Sequence, residues 1–253
     1  MIYGEKKVFF LYPTREFEDH TIKKLVSYEY EVHPLFDYRK VYKLLGFFDY
    51  SILFINLDYN EKSLSWKDYI RELLNSPDFS HTLIGAYCVE DSRFRFDTEL
   101  STITLAEKYY DMTNTGCIDP AAMSGILERN CARGGRKYVR AKCNSGTSTM
   151  CNIKIGKENY NGRIHDISIC GMACIFEKEV HLPRGREIDD IQLRLKSHIY
   201  KTKGIVYGHR DMGKENLVVF LFDKESRKTI QETLYLFIYE TLQKSLSRLM
   251  ETL

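Results

Sequence analysis

The chain has 253 residues, a hydrophobic fraction of 43% and 37 Lys+Arg against 35 Asp+Glu. That is the size and composition of a globular protein with room for two modest domains, each burying its own core. No apolar stretch approaches the roughly 18–20 residues that cross a bilayer, and in residues 1–17 the charges at Glu5, Lys6 and Lys7 precede only a short apolar run, so neither membrane insertion nor a secretory leader is expected and the predicted location is cytoplasmic.

Strand-like and helix-like segments alternate through the first half. Residues 7–12 (KVFFLY) form a compact apolar run of strand type. Residues 19–30 carry the charge and apolar spacing of a helix, 32–36 read as a short strand, and 38–48 are helical with Val41, Leu44 and Leu45 on one face. Residues 50–57 (YSILFINL) have the near-continuous apolar character of a strand buried on both faces. A helix over 66–74 closes at Ser76-Pro77, and 82–88 is a further strand. Strands separated by helices imply βαβ units and a parallel sheet.

This order of elements resembles a response-regulator receiver domain, a fold of receiver or flavodoxin type. The resemblance implies an acidic pair after the first strand, a phosphorylated aspartate after the third and a lysine near the end of the fifth. Asp58 occupies the second of these places, but Tyr12-Pro13-Thr14-Arg15 holds no acidic pair. The segment 116–120, expected as the fifth strand, holds no lysine. Without carboxylates to hold a metal, phosphoryl transfer lacks its main charge stabiliser, and phosphorylation of Asp58 is not expected.

A helix over 121–131 leads into Arg133-Gly134-Gly135, which reads as the joint between a domain spanning 1–131 and one spanning 132–253. The charge divides there as well: the first segment holds 15 basic and 21 acidic side chains, the second 22 and 14. Between Arg129 and Lys142 lie Arg129, Arg133, Arg136, Lys137, Arg140 and Lys142 with no acid. An anion-binding second half follows, and nucleic-acid backbone is one candidate anion.

Two short motifs sharpen this. Arg136 and Arg140 form an RxxxR, a spacing that puts both guanidiniums on one side of either a strand or a helix. Asp166, Ser168 and Gly171 form a DxSxxG, in which Ile167 and Ile169 alternate with the polar residues as on a half-buried strand.

The ordered pair, with 26 positions from Arg140 to Asp166, resembles the PilZ domain, the bacterial receptor module for cyclic di-GMP. That resemblance implies an antiparallel barrel and a non-enzymatic sensor that binds the cyclic dinucleotide through Arg136, Arg140, Asp166, Ser168 and Gly171. Arginine forks onto phosphate oxygens or onto guanine N7 and O6, and a carboxylate accepts from guanine N1–H and N2–H, so the residue types suit the ligand. Arg133 is a possible additional contact. Because Gly135 rather than an arginine precedes the RxxxR, the number of ligands bound stays open.

After the motifs come short β-type runs at 172–176, 187–196, 204–209 and 217–222, as in a small barrel. From about Ser226 the pattern turns helical, with Ile230, Leu234, Phe237, Leu242, Leu246, Leu249 and Leu253 in a stripe expected to face a core. Seven cysteines, none in a CxxC pair, fit thiols in a reducing compartment. His165, Cys170 and Cys174 match no common zinc spacing, so no metal is expected.

The reading is a cyclic di-GMP effector that changes domain arrangement or the binding of an unidentified protein partner, in the control of motility or surface behaviour. The alternatives are a nucleic-acid-binding regulator using residues 129–142 and a PilZ-like protein-interaction module. No nucleophile, base and oxyanion set can be assembled, so neither an enzyme nor a cofactor beyond the ligand is expected.

Overall fold

The structure is a computed structural model that describes residues 6–48, 50–59, 65–88, 103, 105–110, 118–143, 149–211 and 215–252. It comprises two compact units, Met1–Lys137 with Gln243–Leu253, and Tyr138–Leu242.

The first unit is an α/β layer structure. Its strands β1 (Lys7–Leu11), β2 (Val32–Leu35), β3 (Ser51–Asn56), β4 (Thr82–Cys88) and β5 (Glu107–Tyr110) are parallel, in the order β2-β1-β3-β4-β5. That is the doubly wound order of flavodoxin-like sheets. β3 lies centrally and every one of its residues is buried, as its unbroken apolar run requires.

Helical turns link the strands. α1 (Arg15–Phe17) continues through a π-helical turn, Glu18–Ile22, into α2 (Lys23–Ser27); α3 (Val41–Phe47), α4 (Trp66–Asn75) and α5 (Pro120–Arg129) follow. The starts of α1, α4 and α5 have capping side chains. Thr14 accepts from the Phe17 amide, Ser65 from that of Asp68, and Asp119 from Ala121 and Ala122, with Pro120 at the first helical position where its missing N–H costs nothing.

The fifth strand corrects the sequence expectation. It lies at Glu107–Tyr110, whereas Pro120 already begins α5; residues 116 and 117 of the expected segment fall outside the described ones. The run EKYY has too little apolar content to stand out beside a helix-starting Asp-Pro.

The second unit is an antiparallel barrel. Its strands are β6 (Arg140–Lys142), β7 (Thr149–Ile155), β8 (Glu158–Ser168), β9 (Gly171–Phe176), β10 (Glu187–Leu195), β11 (His198–Asp211) and β12 (Asn216–Phe222). They pair in the order β6-β8-β7-β10-β11-β12-β9, and a β8–β9 pairing closes six of them into a ring with β6 added alongside β8. Alternation supplies the core: Cys151, Ile153, Ile164, Leu193, Leu195, Val206 and Phe220 point inward and are buried, while Met150, Arg163, Arg194 and Ile199 share one outward row by register.

β8 is long enough to pair with β7 along its first half and with β6 and β9 along its second. Gly162 marks the change, since a Cβ there would sit 2.8 Å from the Ile175 carbonyl oxygen. The run expected over 204–209 is the middle of a longer β11, which carries a register shift between Val206 and Gly208.

α6 (Lys224–Thr252) ends the described chain. Its early stripe, Ile230, Leu234 and Phe237, is buried. Of its later stripe, Leu246 belongs to the apolar cluster of the first unit with Phe9, Leu53, Trp66 and Ile70, and Leu249, with Met250, packs on that cluster, while Leu253 falls outside the described residues. Gln243 donates through Nε2 to the Val32 carbonyl at 2.9 Å, occupying part of the open edge of β2.

Candidate functional site

The two motifs meet on neighbouring strands. β6 pairs with the end of β8 so that Arg140 lies opposite Ser168 and Lys142 opposite Asp166. Residues two apart on a strand share a face, so these four side chains stand on one side of the ribbon, while Ala141 and Ile167 between them are fully buried on the other. The alternation of β8 puts Asp166 and Ser168 on the same side of the strand.

Asp166 is the hub of this surface. Its Oδ1 lies 3.5 Å from Arg140 Nη1 and its Oδ2 lies 3.2 Å from His165 Nδ1, with side-chain exposures of 13% for Asp166 and 33% for Arg140. A carboxylate can only accept, so His165 carries a proton on Nδ1 in this contact. His165 joins Asp166 on one side because β8 changes register between Ile164 and Asp166.

Ser168 is 5% exposed, and its hydroxyl donates to the Gly171 carbonyl at 3.3 Å. β8 ends at Ser168 and β9 begins at Gly171, so Ile169 and Cys170 form a two-residue turn. The expectation that Ile169 continues the alternating strand of Asp166 and Ser168 is corrected by this turn. Gly171 is required by close packing: a Cβ there would fall on the Phe220 carbonyl oxygen, with the carbonyl carbon at 3.0 Å and Leu221 Cα at 3.1 Å.

Arg136 lies in the segment between α5 and β6 and is exposed; the boundary between the compact units falls after the next residue, Lys137, so Arg136 belongs to the first unit and Arg140 to the second. Arg133 has its guanidinium 5.0 Å over the ring of Tyr30 in the first unit, a cation–π contact. Two neighbours of the motifs were not assigned to the site by the sequence: Lys142, read only as part of the basic stretch 129–142, and Arg227. Lys142 is legible as the residue two beyond Arg140 on the same strand face. Arg227 comes from α6, and its Nη1 donates to the Cys170 thiol at 3.1 Å.

Two thiols of the second unit, Cys143 and Cys174, are held in the protonated form. Burial pushes Cys143 up to about 12 and, with Cys151 beside it, raises Cys174 well above the ordinary range. The six described cysteines are free, and among the described residues no group of three His, Cys, Asp or Glu side chains could hold a metal ion.

In the first unit, the crevice beyond the carboxyl ends of β1 and β3 is where doubly wound sheets bind ligands. Here the rings of Tyr12 and Tyr59 stack with centroids 3.8 Å apart, Asn56 Nδ2 donates to the Tyr12 carbonyl at 2.9 Å, and Trp66 Nε1 donates to the Tyr59 carbonyl. Tyr12 takes a left-handed backbone, φ 53°, to make that stack. Aromatic rings thus stand where a receiver has its acidic pair.

No family model matches the chain, and no curated protein matches it. Solved structures do. The PilZ domain of YcgR from Escherichia coli with c-di-GMP is 17% identical over 44% of this chain and 97% of that one, with a TM-score of 0.38. The K. pneumonia MrkH–c-di-GMP complex is 19% identical over 42% and 53%, TM-score 0.37. The Bacillus subtilis inhibitor of motility MotI/DgrA is 14% identical over 42% and 50%, TM-score 0.33. The chain thus spans about half the length of the last two. Scores of this size leave the assignment to the chain's own residues and topology. Those give the second unit a closed six-stranded antiparallel barrel that carries the DxSxxG and, on an adjoining strand, Arg140 in contact with Asp166.

Proposed function

We propose that the chain is a cyclic di-GMP-binding effector whose ligand site is built on Arg140, Asp166 and Ser168, with Arg136 completing the clamp when the ligand is bound. The observation that carries this reading is the convergence of two motifs, 26 positions apart in sequence, onto paired strands with Arg140 and Asp166 in contact. Arg140 and Lys142 give the face a positive excess over its one carboxylate, which suits a ligand with two phosphodiester charges. Asp166 accepts from guanine N1–H and N2–H, and Gly171 keeps the turn narrow enough for Ser168 to hold its bond to the backbone. Ligand capture acts by favouring one arrangement of the chain over another, by no more than the difference in its affinity for the two. The resemblance points to motility or surface behaviour as the process controlled, and to a protein partner as the recipient.

Calorimetric titration with cyclic di-GMP tests this on the native chain and on Arg140→Ala. A charged hydrogen bond contributes roughly 1.5–3 kcal/mol, so the variant is expected to lose at least about tenfold in affinity. Equal affinity in both, or no binding by the native chain, ends the proposal. Steeply salt-dependent binding of DNA or RNA with indifference to the dinucleotide would replace it with the nucleic-acid reading.

A further inference from the structure

A third arginine stands at the same end of the barrel and belongs to neither motif. Arg227 lies in the first turn of α6, three residues before Ile230 and seven before Leu234. Both of those are buried, at 4% and 0% exposure. The i, i+3, i+7 spacing puts Arg227 on the stripe that faces the core, where an apolar residue would be the ordinary choice. It is half-buried there.

Its partners do not account for a charge at that place. The one hydrogen bond its side chain makes among the described residues is to the Cys170 thiol, a weak acceptor, and no carboxylate among them pairs with its guanidinium. A guanidinium has five donors, and those that Cys170 does not engage are not shut away from solvent, so they are open to the acceptors of a ligand. Cys170 is in the turn between Ser168 and Gly171, inside the DxSxxG, and Ser168 lies directly opposite Arg140. Arg227 therefore approaches the ligand face from α6, while Arg140 approaches it from β6.

We propose that Arg227 is a ligand-binding residue, donating to a phosphate oxygen or a guanine acceptor of the cyclic dinucleotide and giving up the thiol of Cys170 to do so. The inference rests on the proposed ligand. It adds a consequence: a ligand held by Arg140 and Arg227 together ties the first turn of α6 to the DxSxxG turn, so α6 senses whether the site is filled. A dinucleotide with two phosphates and two purines has acceptors for both arginines, whereas a mononucleotide has half as many.

Calorimetry with cyclic di-GMP on four full-length proteins tests it: native, Arg140→Ala, Arg227→Met and Arg227→Lys. Methionine keeps most of the apolar stem that covers the turn and removes the charge; lysine keeps the charge and loses the fork. The expected result is a loss of about tenfold or more for Arg227→Met and a smaller loss for Arg227→Lys, with the melting temperatures of the ligand-free proteins unchanged. Native affinity in both Arg227 variants, while Arg140→Ala loses binding, overturns the role of Arg227 and leaves the ligand reading intact. Native affinity in Arg140→Ala overturns the ligand reading and this inference with it. Should Arg227→Met unfold the barrel, Arg227→Lys decides: undiminished affinity overturns the inference, and weakened affinity with an unchanged melting temperature supports it.

Discussion

Arg140 and Asp166 hold each other loosely: the guanidinium Nη1 stands 3.5 Å from the carboxylate Oδ1, and a third of the arginine side chain is open to solvent. A pair of that length and exposure contributes on the order of 0–1 kcal/mol to the fold. It orients both groups without binding either tightly, so an incoming phosphate or guanine edge displaces it at little cost. Asp166→Ala is accordingly expected to shift the melting temperature by no more than a few degrees while lowering cyclic di-GMP affinity by about tenfold. A thermal melt and a titration of the same sample check both halves.

Gly171→Ala is expected to weaken the barrel whatever the ligand does. The added methyl would meet backbone atoms of Phe220 and Leu221 on β12, which cannot rotate away as a side chain would. Overpacking of this kind costs roughly 1–3 kcal/mol. Gly46→Ala, in α3 with nothing within 4 Å of the new carbon, is the matched control and is expected to stabilise by about 0.5 kcal/mol. Denaturant midpoints moving in opposite directions would bear this out; equal midpoints would contradict it.

Acid is expected to loosen the first unit through Glu31. Burial raises the pKa of this carboxyl, but a hydrogen bond from His33 and the charge of Lys7, whose Nζ lies 2.5 Å from Oε2, outweigh that and bring it from 4.5 down to about 2. A depressed carboxyl stabilises the fold above its unfolded pKa and stops doing so as pH falls through the folded one. The contribution is therefore complete above about 4.5 and lost on the way to about 2, amounting to roughly 3 kcal/mol as an order of magnitude. Trp66, the sole tryptophan, lies in the core of this unit and reports its unfolding. Urea midpoints followed by its fluorescence should fall between pH 5 and pH 2.5, and less steeply in Glu31→Gln.

Leu246→Ala is expected to destabilise the first unit although the residue is far along the sequence. Leu246 is 5% exposed within the apolar cluster that contains Trp66. Truncating a buried leucine costs about 2–5 kcal/mol. The urea midpoint read by Trp66 fluorescence should drop by an amount that Leu236→Ala, on an exposed face of the same helix, does not reproduce.

Most strands and helices were legible because their patterns are strong. The run 50–57 reads as a buried strand, whereas Asp119-Pro120, expected within the fifth strand, starts a helix. β5 escaped because its four residues carry no strong pattern, and the turn at Ile169–Cys170 escaped because two apolar or neutral residues after an alternating strand look like more strand. In the proposed site, Arg136, Arg140, Asp166, Ser168 and Gly171 were singled out by two motifs and the family resemblance they carry. Arg227 was not, since its meaning comes from a helix face packed 57 positions away from Cys170, and no local spacing encodes that.

The shared use of α6 also sets an order of events during synthesis. The first unit leaves the ribosome early, but its cluster lacks Leu246 and the edge of β2 lacks Gln243 until residues 243–252 have been made. Domains commonly fold one after another from the amino terminus. Here the earlier half waits, with a strand edge and part of its apolar interior uncovered, for the last turns of a helix translated after the entire barrel.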